Sequence, residues 1–310
     1  MAAIDRSAVF RQHRSRLYGI AYRMLGTKAD AEDMLQEAYL RWHQANVDAI
    51  QTPEAWLVTT VTRLCIDRLR AARAEREAYV GPWLPEPLVE DAYPPPDRQA
   101  ELASDLSVAF LVLLERLAPE ERAAFLLHDV FEADYPEIAQ ALGKSQEATR
   151  QIVHRARERV RRDRPRFKVS EAARARLLEK FATAVKTQDQ RALLELFADD
   201  VTWTSDGGGR AKAARKVVQG ADRVARFATG VWRRYVADLD HRPATINGEA
   251  GLVMCFRGHP VSTISIETDG VRILAFYAVL NPDKLKDLPA GQTSRDPSTC
   301  HNDHAGSSSG

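Results

Sequence analysis

The chain has 310 residues, which is enough for two or three domains of ordinary size. Its 44 basic and 43 acidic side chains leave a net charge of +1, which excludes a protein that attracts nucleic acid over its whole surface. Cys65, Cys255 and Cys300 form neither a disulfide framework nor a paired zinc motif, and the chain lacks a membrane-spanning stretch and a secretion signal, so we expect a cytoplasmic protein without a metal or other cofactor.

Residues 1–78 are predicted to form a helical bundle, because apolar side chains recur there at three- and four-residue steps. Gly26 ends the first predicted helix, Asp30 stands at the start of the second, and Pro53 opens the third, where a proline is tolerated in the first turn. Residues 79–98 differ, because the window 80–97 holds six of the fifteen prolines. Proline interrupts regular helix, so this stretch is predicted to be an extended linker.

A second helical block is predicted over residues 99–166, with a loop at 131–134. Within it, segment 135–157 (YPEIAQALGKSQEATRQIVHRAR) has the spacing of a helix-turn-helix. Ala139 is small where two helices would cross, Gly143 permits the bend, and Ser145 can cap the second helix. The side chains predicted to fill the shared core are Ile138, Leu142, Ile152 and Val153.

The second helix of this motif is predicted to read base edges in a major groove. The side chains predicted to contact DNA there are Ser145, Gln146, Glu147, Arg150, Gln151, His154 and Arg155. Residues 144–168 contain ten Lys or Arg against three acids, a local excess of +7 that indicates phosphate binding. The alternative is a solvated helix with internal salt bridges. Thr149 is more polar than the aliphatic residue usual at its position.

Residues 169–285 are predicted to form an α+β domain. Two amphipathic helices are expected at 171–187 and 189–198, followed by strands at 201–205, 242–247, 251–257, 261–268 and 271–280. Residues 286–310 are poor in apolar groups and are expected to be disordered. The predicted fold class is therefore a multidomain protein with two all-α units and a C-terminal α+β domain.

Segment 18–42 (YGIAYRMLGTKADAEDMLQEAYLRW) resembles region 2 of the extracytoplasmic-function (ECF) sigma factors of bacterial RNA polymerase. The resemblance implies that Asp30, Asp33, Gln36 and Glu37 bind the β′ clamp helices of core RNA polymerase. An acidic first helical turn, favoured by the helix dipole, would explain Asp30 and Asp33 but not the other two residues. Residues 1–78 then correspond to sigma region 2, and residues 99–166 to region 4, which the resemblance places on the −35 promoter element and the β flap.

Segment 53–73 (PEAWLVTTVTRLCIDRLRAAR) resembles the element of region 2 that opens the −10 promoter duplex. The residues that this implies as DNA contacts are Arg63, Asp67, Arg70 and Arg73. Cys65 stands where relatives often have Asn, so its base preference is left open. Two cationic helical surfaces, near 63–76 and 150–166, are expected to lie apart so that each binds its own stretch of promoter DNA.

Three short segments, 83–87 (WLPEP), 206–210 (DGGGR) and 281–285 (NPDKL), resemble the ECF subgroup with a fused SnoaL-like domain, a cone fold related to nuclear transport factor two. The resemblance implies an intramolecular contact that regulates the sigma regions. The residues assigned to this contact are Trp83, Pro85, Asp206, Gly207, Gly208, Gly209, Arg210, Asn281, Pro282 and Asp283. We expect Trp83 to dock into the C-terminal domain, because a tryptophan between prolines loses little entropy on binding.

Other functions of the C-terminal domain stay open. Relatives of the cone fold include isomerases and cyclases, so Asp200 or Asp206 with Tyr277 or His241 could transfer protons, although we expect no enzyme. A preformed apolar pocket could instead bind an unidentified small ligand without chemistry. Metal binding by Cys300 and the His residues that follow it is not expected, because a single cluster in a disordered tail is a poor zinc site.

Overall fold

The computed structural model describes residues 5–90, 106–163, 169–235 and 239–288, except the side chains of Asp163 and Tyr235. Several predicted features therefore lie outside the described residues: linker residues 91–98, residues 99–105 at the start of the second helical block, residues 164–168 of the cationic segment, and the tail beyond residue 288 with Cys300 and its neighbouring histidines. None of the described helices is both long enough and apolar enough to cross a bilayer.

Helices make up the first half of the described chain. They are α1 (Arg6–Leu25), α2 (Lys28–Gln44), α3 (Pro53–Ala71), α4 (Arg73–Glu77), α5 (Val108–Leu114), α6 (Pro119–Phe125), α7 (Tyr135–Leu142) and α8 (Gln146–Asp163). A π-helical turn, Leu126–Val130, continues α6 and leads into the predicted loop at 131–134.

The N-terminal bundle (residues 5–77) forms because α1, α2 and α3 each bury one apolar face. Gly26 ends α1 in the left-handed conformation, with φ of 75°, and the Thr27 side chain caps α2. Trp42 and Met24 are fully buried between the helices. The same hydrophobic core continues into the helix-turn-helix unit (residues 106–163), where Leu114 and Leu126 are buried. The two helical units are therefore packed on one another.

The C-terminal domain (residues 169–288) adds three helices to a mixed seven-stranded sheet. The helices are α9 (Glu171–Lys186), α10 (Gln190–Leu196) and α11 (Ala221–Tyr235). The strands are β1 (Val89–Glu90), β2 (Phe197–Asp206), β3 (Val218–Gln219), β4 (Leu239–Ile246), β5 (Glu249–Phe256), β6 (His259–Thr268) and β7 (Ile273–Val279).

The sheet order is β1-β4-β5-β6-β7-β2-β3, with β2 and β7 parallel and all other neighbours antiparallel. Helix α9 packs on the sheet through Phe181, whose ring centroid lies 4.7 Å from that of Phe276 on β7. Trp203 stacks on Phe276 at 4.6 Å, so three aromatic rings form the centre of this second core. The predicted fold class, two all-helical units followed by an α+β domain, is confirmed.

Four elements differ from the sequence prediction, and one of them is the short strand β3, which was not predicted. The helix expected at 189–198 ends at Leu196, because β2 already begins at Phe197. Helix α11 was not predicted, although Val224, Ala228 and Trp232 recur at four-residue steps and are buried. Strand β1 comes from the proline-rich linker and pairs with the edge strand β4, so part of the linker belongs to the sheet of the C-terminal domain.

Candidate functional site

Helix α8 is held in the orientation that a helix-turn-helix requires. Gly143 has a φ of 65°, so the chain turns sharply after α7. The Ser145 hydroxyl accepts a hydrogen bond from the Ala148 amide at 3.2 Å, as predicted for a cap. Thr149 is fully buried, and its hydroxyl donates to the Ser145 carbonyl at 2.9 Å, which explains how a polar residue fits this core position.

The outward face of α8 carries the side chains that were predicted to contact DNA. All of them are exposed to solvent: Ser145, Gln146, Glu147, Arg150, Gln151, His154 and Arg155. Arg150 lies over the ring of Tyr135, with its guanidinium carbon 5.3 Å from the ring centroid. It makes no ion pair with an acid of the described chain. Arg150 is therefore available to an external acceptor.

The positive charge of α8 is less unbalanced than residues 144–168 alone indicate. Arg157 pairs with Asp129 at 2.7 Å, and Arg159 pairs with Glu121 at 2.6 Å. Arg155 lies 3.9 Å from the same Glu121. The alternative of an internally salt-bridged helix thus holds for the face of α8 that turns towards α6. Among the described side chains, Arg150 near the start of α8 and Arg162 near its end make no ion pair.

Helix α3, one of the two surfaces that were expected to bind DNA separately, contacts the helix-turn-helix unit directly. Arg63 on α3 donates hydrogen bonds to the carbonyl oxygens of Ala141 at 3.0 Å and Gln140 at 2.5 Å, at the end of α7. Glu120 on α6 pairs with Arg70 of α3 at 2.6 Å and with Lys144 at 3.1 Å. We call this arrangement the closed contact. These bonds join α3 to the end of α7 and to α6, not to residues 150–163, so the separation of the two DNA-binding surfaces stays a prediction. Arg63 and Arg70 are nevertheless occupied here by helix-end carbonyls and a carboxylate.

The other residues named in this region, Asp67 and Cys65 on α3 and Arg73 at the start of α4, differ in how accessible they are. Arg73 and Asp67 are exposed, with 82% and 74% of their side-chain surface accessible. Arg73 pairs with Glu77 at 2.9 Å, and Asp67 lies 3.4 Å from Arg70. Cys65 is fully buried in the bundle, and burial raises the pKa of its thiol. Cys65 therefore cannot contact a base in this arrangement.

Helix α2 presents a mixed acidic and apolar face to solvent. Asp33 and Gln36 are exposed, and Leu40, one turn further along, has 49% of its surface accessible. Glu37 pairs with Arg41 at 2.8 Å on this surface. Asp30 is different, because its carboxylate binds Arg68 of α3 at 2.8 Å and thereby ties two helices of the bundle together.

Asp206, at the end of β2, is the centre of the contact between the C-terminal domain and the linker. Its carboxylate is fully buried and accepts four hydrogen bonds. The donors are the Tyr79 hydroxyl at 2.6 Å, the Leu84 amide at 2.9 Å, the Gly208 amide at 3.1 Å and the Lys284 ammonium at 2.7 Å. Burial raises the pKa of the Tyr79 hydroxyl, as does its hydrogen bond to Asp206, so it remains a donor.

Trp83 does not insert into the C-terminal domain as expected. Its ring presses on Gly26 of the N-terminal bundle, where an added Cβ would lie 2.5 Å from the ring. The Arg76 guanidinium carbon lies 3.4 Å from the ring centroid, and the Lys284 ammonium lies 4.1 Å from it. Trp83 is therefore held between the bundle and the C-terminal domain. The apolar anchor in the domain is the neighbouring Leu84, which is fully buried against Val279 and Leu285.

The glycines after Asp206 are needed for this close approach. Gly208 has a φ of 57°, and a Cβ there would lie 2.3 Å from the Asn281 amide nitrogen and 3.0 Å from the Tyr79 hydroxyl. A Cβ at Gly209 would contact the Val80 side chain, and a Cβ at Gly207 would collide with the carbonyl oxygen of Ala211.

The remaining residues assigned to the contact from sequence also lie here. Asn281 donates to Tyr79 at 2.9 Å, and Arg210 pairs with Asp283 at 2.9 Å on the surface. Pro85 is buried in the linker, and Pro282 is exposed.

Lys284 and Asn247 were missed by the sequence assignment. Lys284 lies within the segment 281–285 and donates to the Leu84 carbonyl as well as to Asp206. Burial lowers the pKa of Lys284, and the Asp206 carboxylate opposes that effect. Asn247, in the turn between β4 and β5, donates to the Tyr22 hydroxyl at 2.8 Å and accepts from the Leu88 amide at 3.0 Å. Asn247 has a left-handed φ of 54°, which Asn tolerates well in a turn. The Asn-Gly sequence was therefore the one local indication of this turn.

Glu86 completes the path of the linker across the bundle. Its carboxylate accepts from the Lys28 amide at 2.9 Å in the first turn of α2, and its own amide donates to the Gly26 carbonyl at 2.8 Å. The Tyr22 hydroxyl donates to the Glu86 carbonyl at 2.6 Å. The linker is thus bonded to the N-terminal bundle on one side and to the C-terminal domain on the other.

The residues considered for proton transfer are not assembled in one place. His241 lines a cavity of about 750 Å³ in the C-terminal domain. Asp206 belongs to the linker contact, Asp200 is exposed, and the Tyr277 hydroxyl donates to Glu267 at 3.0 Å. Within the described chain, no group of three or more His, Cys, Asp or Glu side chains could hold a metal ion.

Comparisons with known families match all three units. Residues 9–75 match the profile of sigma-70 region 2, residues 107–160 match sigma-70 region 4, and residues 178–281 match the SnoaL-like domain. The chain is 37% identical to the "ECF RNA polymerase sigma factor SigJ" of Mycobacterium tuberculosis over 90% of this chain and 93% of that protein. The chain belongs to the ECF RNA polymerase sigma factors.

A second relative and a crystal structure agree with this assignment. The sigma factor is 31% identical to the "Probable ECF RNA polymerase sigma factor SigI" of Mycobacterium tuberculosis over 92% of this chain and 96% of that protein. The crystal structure of Mycobacterium tuberculosis SigJ superposes with a TM-score of 0.73 at 36% identity, covering 92% of this chain and 99% of that one. The predicted family with its fused SnoaL-like domain is confirmed, and so is the prediction of a sigma factor rather than an enzyme.

Replacing Asp206 by Asn tests the linker contact of this sigma factor. The substitution leaves the buried Lys284 ammonium without its counter-charge, and breaking such a pair costs about 3–5 kcal/mol. We expect amide hydrogen exchange at Leu84 and Leu88 to accelerate, while the exposed substitution Asp200→Asn on the same strand leaves it unchanged. Adding Lys284→Met to Asp206→Asn should restore part of the protection. Unchanged protection at Leu84 in Asp206→Asn would contradict the central role of this carboxylate.

Replacing Glu120 by Gln tests the closed contact. The change releases Arg70 and Lys144 from their shared carboxylate, so we expect duplex DNA of random sequence to bind roughly threefold more tightly at low salt, as is typical of a weak surface pair. Fluorescence anisotropy with a labelled duplex measures this affinity. Glu179→Gln, exposed on α9, makes the same change in net charge and serves as the control. Equal gains in both variants would mean that net charge, and not the contact, limits DNA binding.

Proposed function

We propose that this sigma factor recognises a −35 promoter element through α8 and opens the −10 element through α3. The observation that carries the proposal is the set of exposed polar side chains on the first turns of α8, with Arg150 unpaired within the described chain. A major groove presents distinct donors and acceptors for each base pair, and long polar side chains can read them. Arginine in particular binds guanine through two hydrogen bonds.

We propose that core RNA polymerase binds the exposed face of α2. Asp33 and Gln36 lie there beside the exposed Leu40, so the face combines hydrogen-bonding groups with an apolar centre. The proposed partner of the α2 face is the β′ clamp helices of polymerase. The proposed partner of the helix-turn-helix unit is the β flap. Asp30 supports this face indirectly, because it fixes α2 to α3 through Arg68. Binding to polymerase would place the protein in the cytoplasm.

The C-terminal domain is proposed to regulate promoter binding through the linker. In the closed contact, Arg63 of α3 is bonded to carbonyl oxygens at the end of α7, the helix before α8, so this arginine is not free to bind DNA. The linker is held at Asp206, is bonded to the N-terminal bundle through Glu86, and packs through the cluster around Leu84 against Val112 of α5, so it would limit how far the two helical units separate. Polymerase and promoter DNA would select an arrangement in which this contact is broken, because only that arrangement frees Arg63 and Arg70 of α3 for DNA.

A second role of the C-terminal domain, ligand sensing, is favoured by its cavity. The cavity measures about 750 Å³, within the range of small-molecule sites, and its lining is mainly apolar. Catalysis is not part of this role. Asp200, Asp206 and Tyr277 are absent from the described lining, which leaves His241 without an acidic partner there.

Transcription reconstituted from core polymerase, the full-length chain and promoter templates tests the proposed function. We expect specific RNA only when this chain is present. The double substitution Asp33→Arg with Gln36→Arg should abolish co-elution with polymerase and reduce RNA, because it reverses the charge of the α2 face. Gln219→Arg with Asp222→Arg, exposed on the C-terminal domain, introduces the same charges elsewhere and should leave both unchanged. Full activity of the α2 variant would refute the assignment of this face.

Arg150→Ala tests base reading by α8. If the arginine binds a base edge, we expect Arg150→Ala to reduce the binding free energy for a cognate promoter by about 1–3 kcal/mol. The loss on a scrambled sequence should be smaller. Arg161→Ala, at an exposed position near the end of α8, is the control for loss of a positive charge. Equal losses on cognate and scrambled DNA would make Arg150 a phosphate contact.

A further inference from the structure

The cavity of the C-terminal domain is enclosed mainly by aromatic and aliphatic side chains. Its wall includes Phe181, Trp203, Phe227, Leu252 and Ile264, contributed by helices and by the concave face of the sheet. An apolar surface of this kind favours an organic molecule with a large apolar body, because burying such a body in place of water is favourable.

The charged groups around the cavity have one sign. Among the described residues that line it there is no Asp or Glu, whereas Lys212, Arg226 and Arg234 are present and exposed. None of these three cations makes an ion pair with another described residue. Three unneutralised cations at the edge of an apolar cavity attract an anion and repel a cation.

A buried donor inside the cavity also lacks a partner. Trp232 of α11 is 5% exposed, and its indole nitrogen has no hydrogen-bond acceptor within the described chain. Indole is a donor only, so this group can be satisfied solely by an acceptor atom. A buried donor that finds no acceptor costs free energy, and a ligand oxygen would recover it.

We propose that this cavity binds an amphipathic organic anion whose apolar body fills the space between α9, α11 and the sheet. Its acidic group lies towards Lys212 and Arg226, and an oxygen accepts from Trp232. The inference deepens the sensing role given above, since it names the ligand class for that site. Neutral lipids and amphipathic amines fit the apolar wall but not the charge of the rim.

The position of the cavity connects such a ligand to the linker contact. Ala211, Ala213 and Ala214 line the cavity and directly follow the segment 206–210. The carbonyl of Gly207 accepts from the amides of Arg210 at 2.9 Å and Ala211 at 3.0 Å, so the turn and the cavity wall are one hydrogen-bonded unit. An occupant that moves this wall moves the residues that hold Asp206 and the linker. Ligand binding and release of the linker are thereby coupled.

Calorimetric titration of the full-length protein with decanoate, decylammonium and 1-decanol, each below its micelle-forming concentration, tests the ligand class. The three probes share one apolar chain and differ in the charge of the head group. We expect decanoate to bind on the order of tenfold more tightly than decylammonium at low salt, because three surface cations each add a modest attraction. Equal affinity of all three probes, or no binding of decanoate, would overturn the proposal.

Substitutions place the bound probe in the cavity. Trp232→Phe keeps an aromatic ring but removes the donor, so decanoate should bind about tenfold more weakly, whereas Trp56→Phe in the N-terminal bundle should have no effect. Lys212→Gln with Arg226→Gln should weaken binding roughly fivefold, compared with Lys216→Gln with Arg223→Gln, which removes two exposed cations outside the cavity lining. Unchanged affinity in both test variants would show that the probe binds elsewhere.

Hydrogen exchange separates this inference from the sigma function. Decanoate should change the exchange rate of the Leu84 and Leu88 amides in the wild-type protein but not in Trp232→Phe at the same concentration. If transcription is reconstituted and decanoate neither binds nor alters exchange, the ligand inference fails while the proposed function stands. If decanoate binds as expected and no template is transcribed, the sigma assignment of the surfaces fails while the site remains.

Discussion

The buried carboxylate of Asp206 is the interaction on which the arrangement of the three units depends. A charge removed from water is costly unless it is paired and fully hydrogen-bonded, and Asp206 reaches that state only when donors from the linker and from the segment around Lys284 meet at one point. The glycines beside it, the ring of Trp83 and the anchor Leu84 are all positioned by that requirement. The linker is therefore part of the folded structure between residues 79 and 90.

Arginine has two uses in the sigma regions of this protein. Arg63 and Arg70, which resemble promoter-binding residues, are occupied by helix-end carbonyls and by Glu120 in the closed contact. These acceptors are chemically similar to those of DNA, since both are oxygen atoms with partial or full negative charge. Because the same donors cannot serve both partners, the internal acceptors compete with phosphate. Arg150 is not held by an oxygen acceptor of the described chain, so under the proposed function it would not face this competition.

Much of the fold could be predicted from sequence because local patterns determine it. Helical periodicity revealed the helices of the bundle, and Gly143 with Ser145 marked the turn of the helix-turn-helix. Long-range contacts leave no such pattern. Nothing local to Arg63 indicates that it meets Ala141, and Lys284 looks like an ordinary surface lysine until Asp206 is placed beside it. Trp83 was predicted to insert into the C-terminal domain, but its ring packs on the N-terminal bundle. A tryptophan between prolines indicates an apolar anchor without indicating which surface it covers.

Glu86 ties the linker to the first turn of α2 through the Lys28 amide, and the exposed face of the same helix carries Asp33, Gln36 and Leu40. A helix that loses a partner for its first amides frays at that end. Detaching the linker would therefore destabilise the first turn of α2, the helix proposed to bind polymerase. Conversely, polymerase bound to α2 would stabilise this helix and with it the contact to the linker. By thermodynamic reciprocity, release of the linker and binding of polymerase at the proposed α2 face would then influence one another without direct contact between the linker and polymerase.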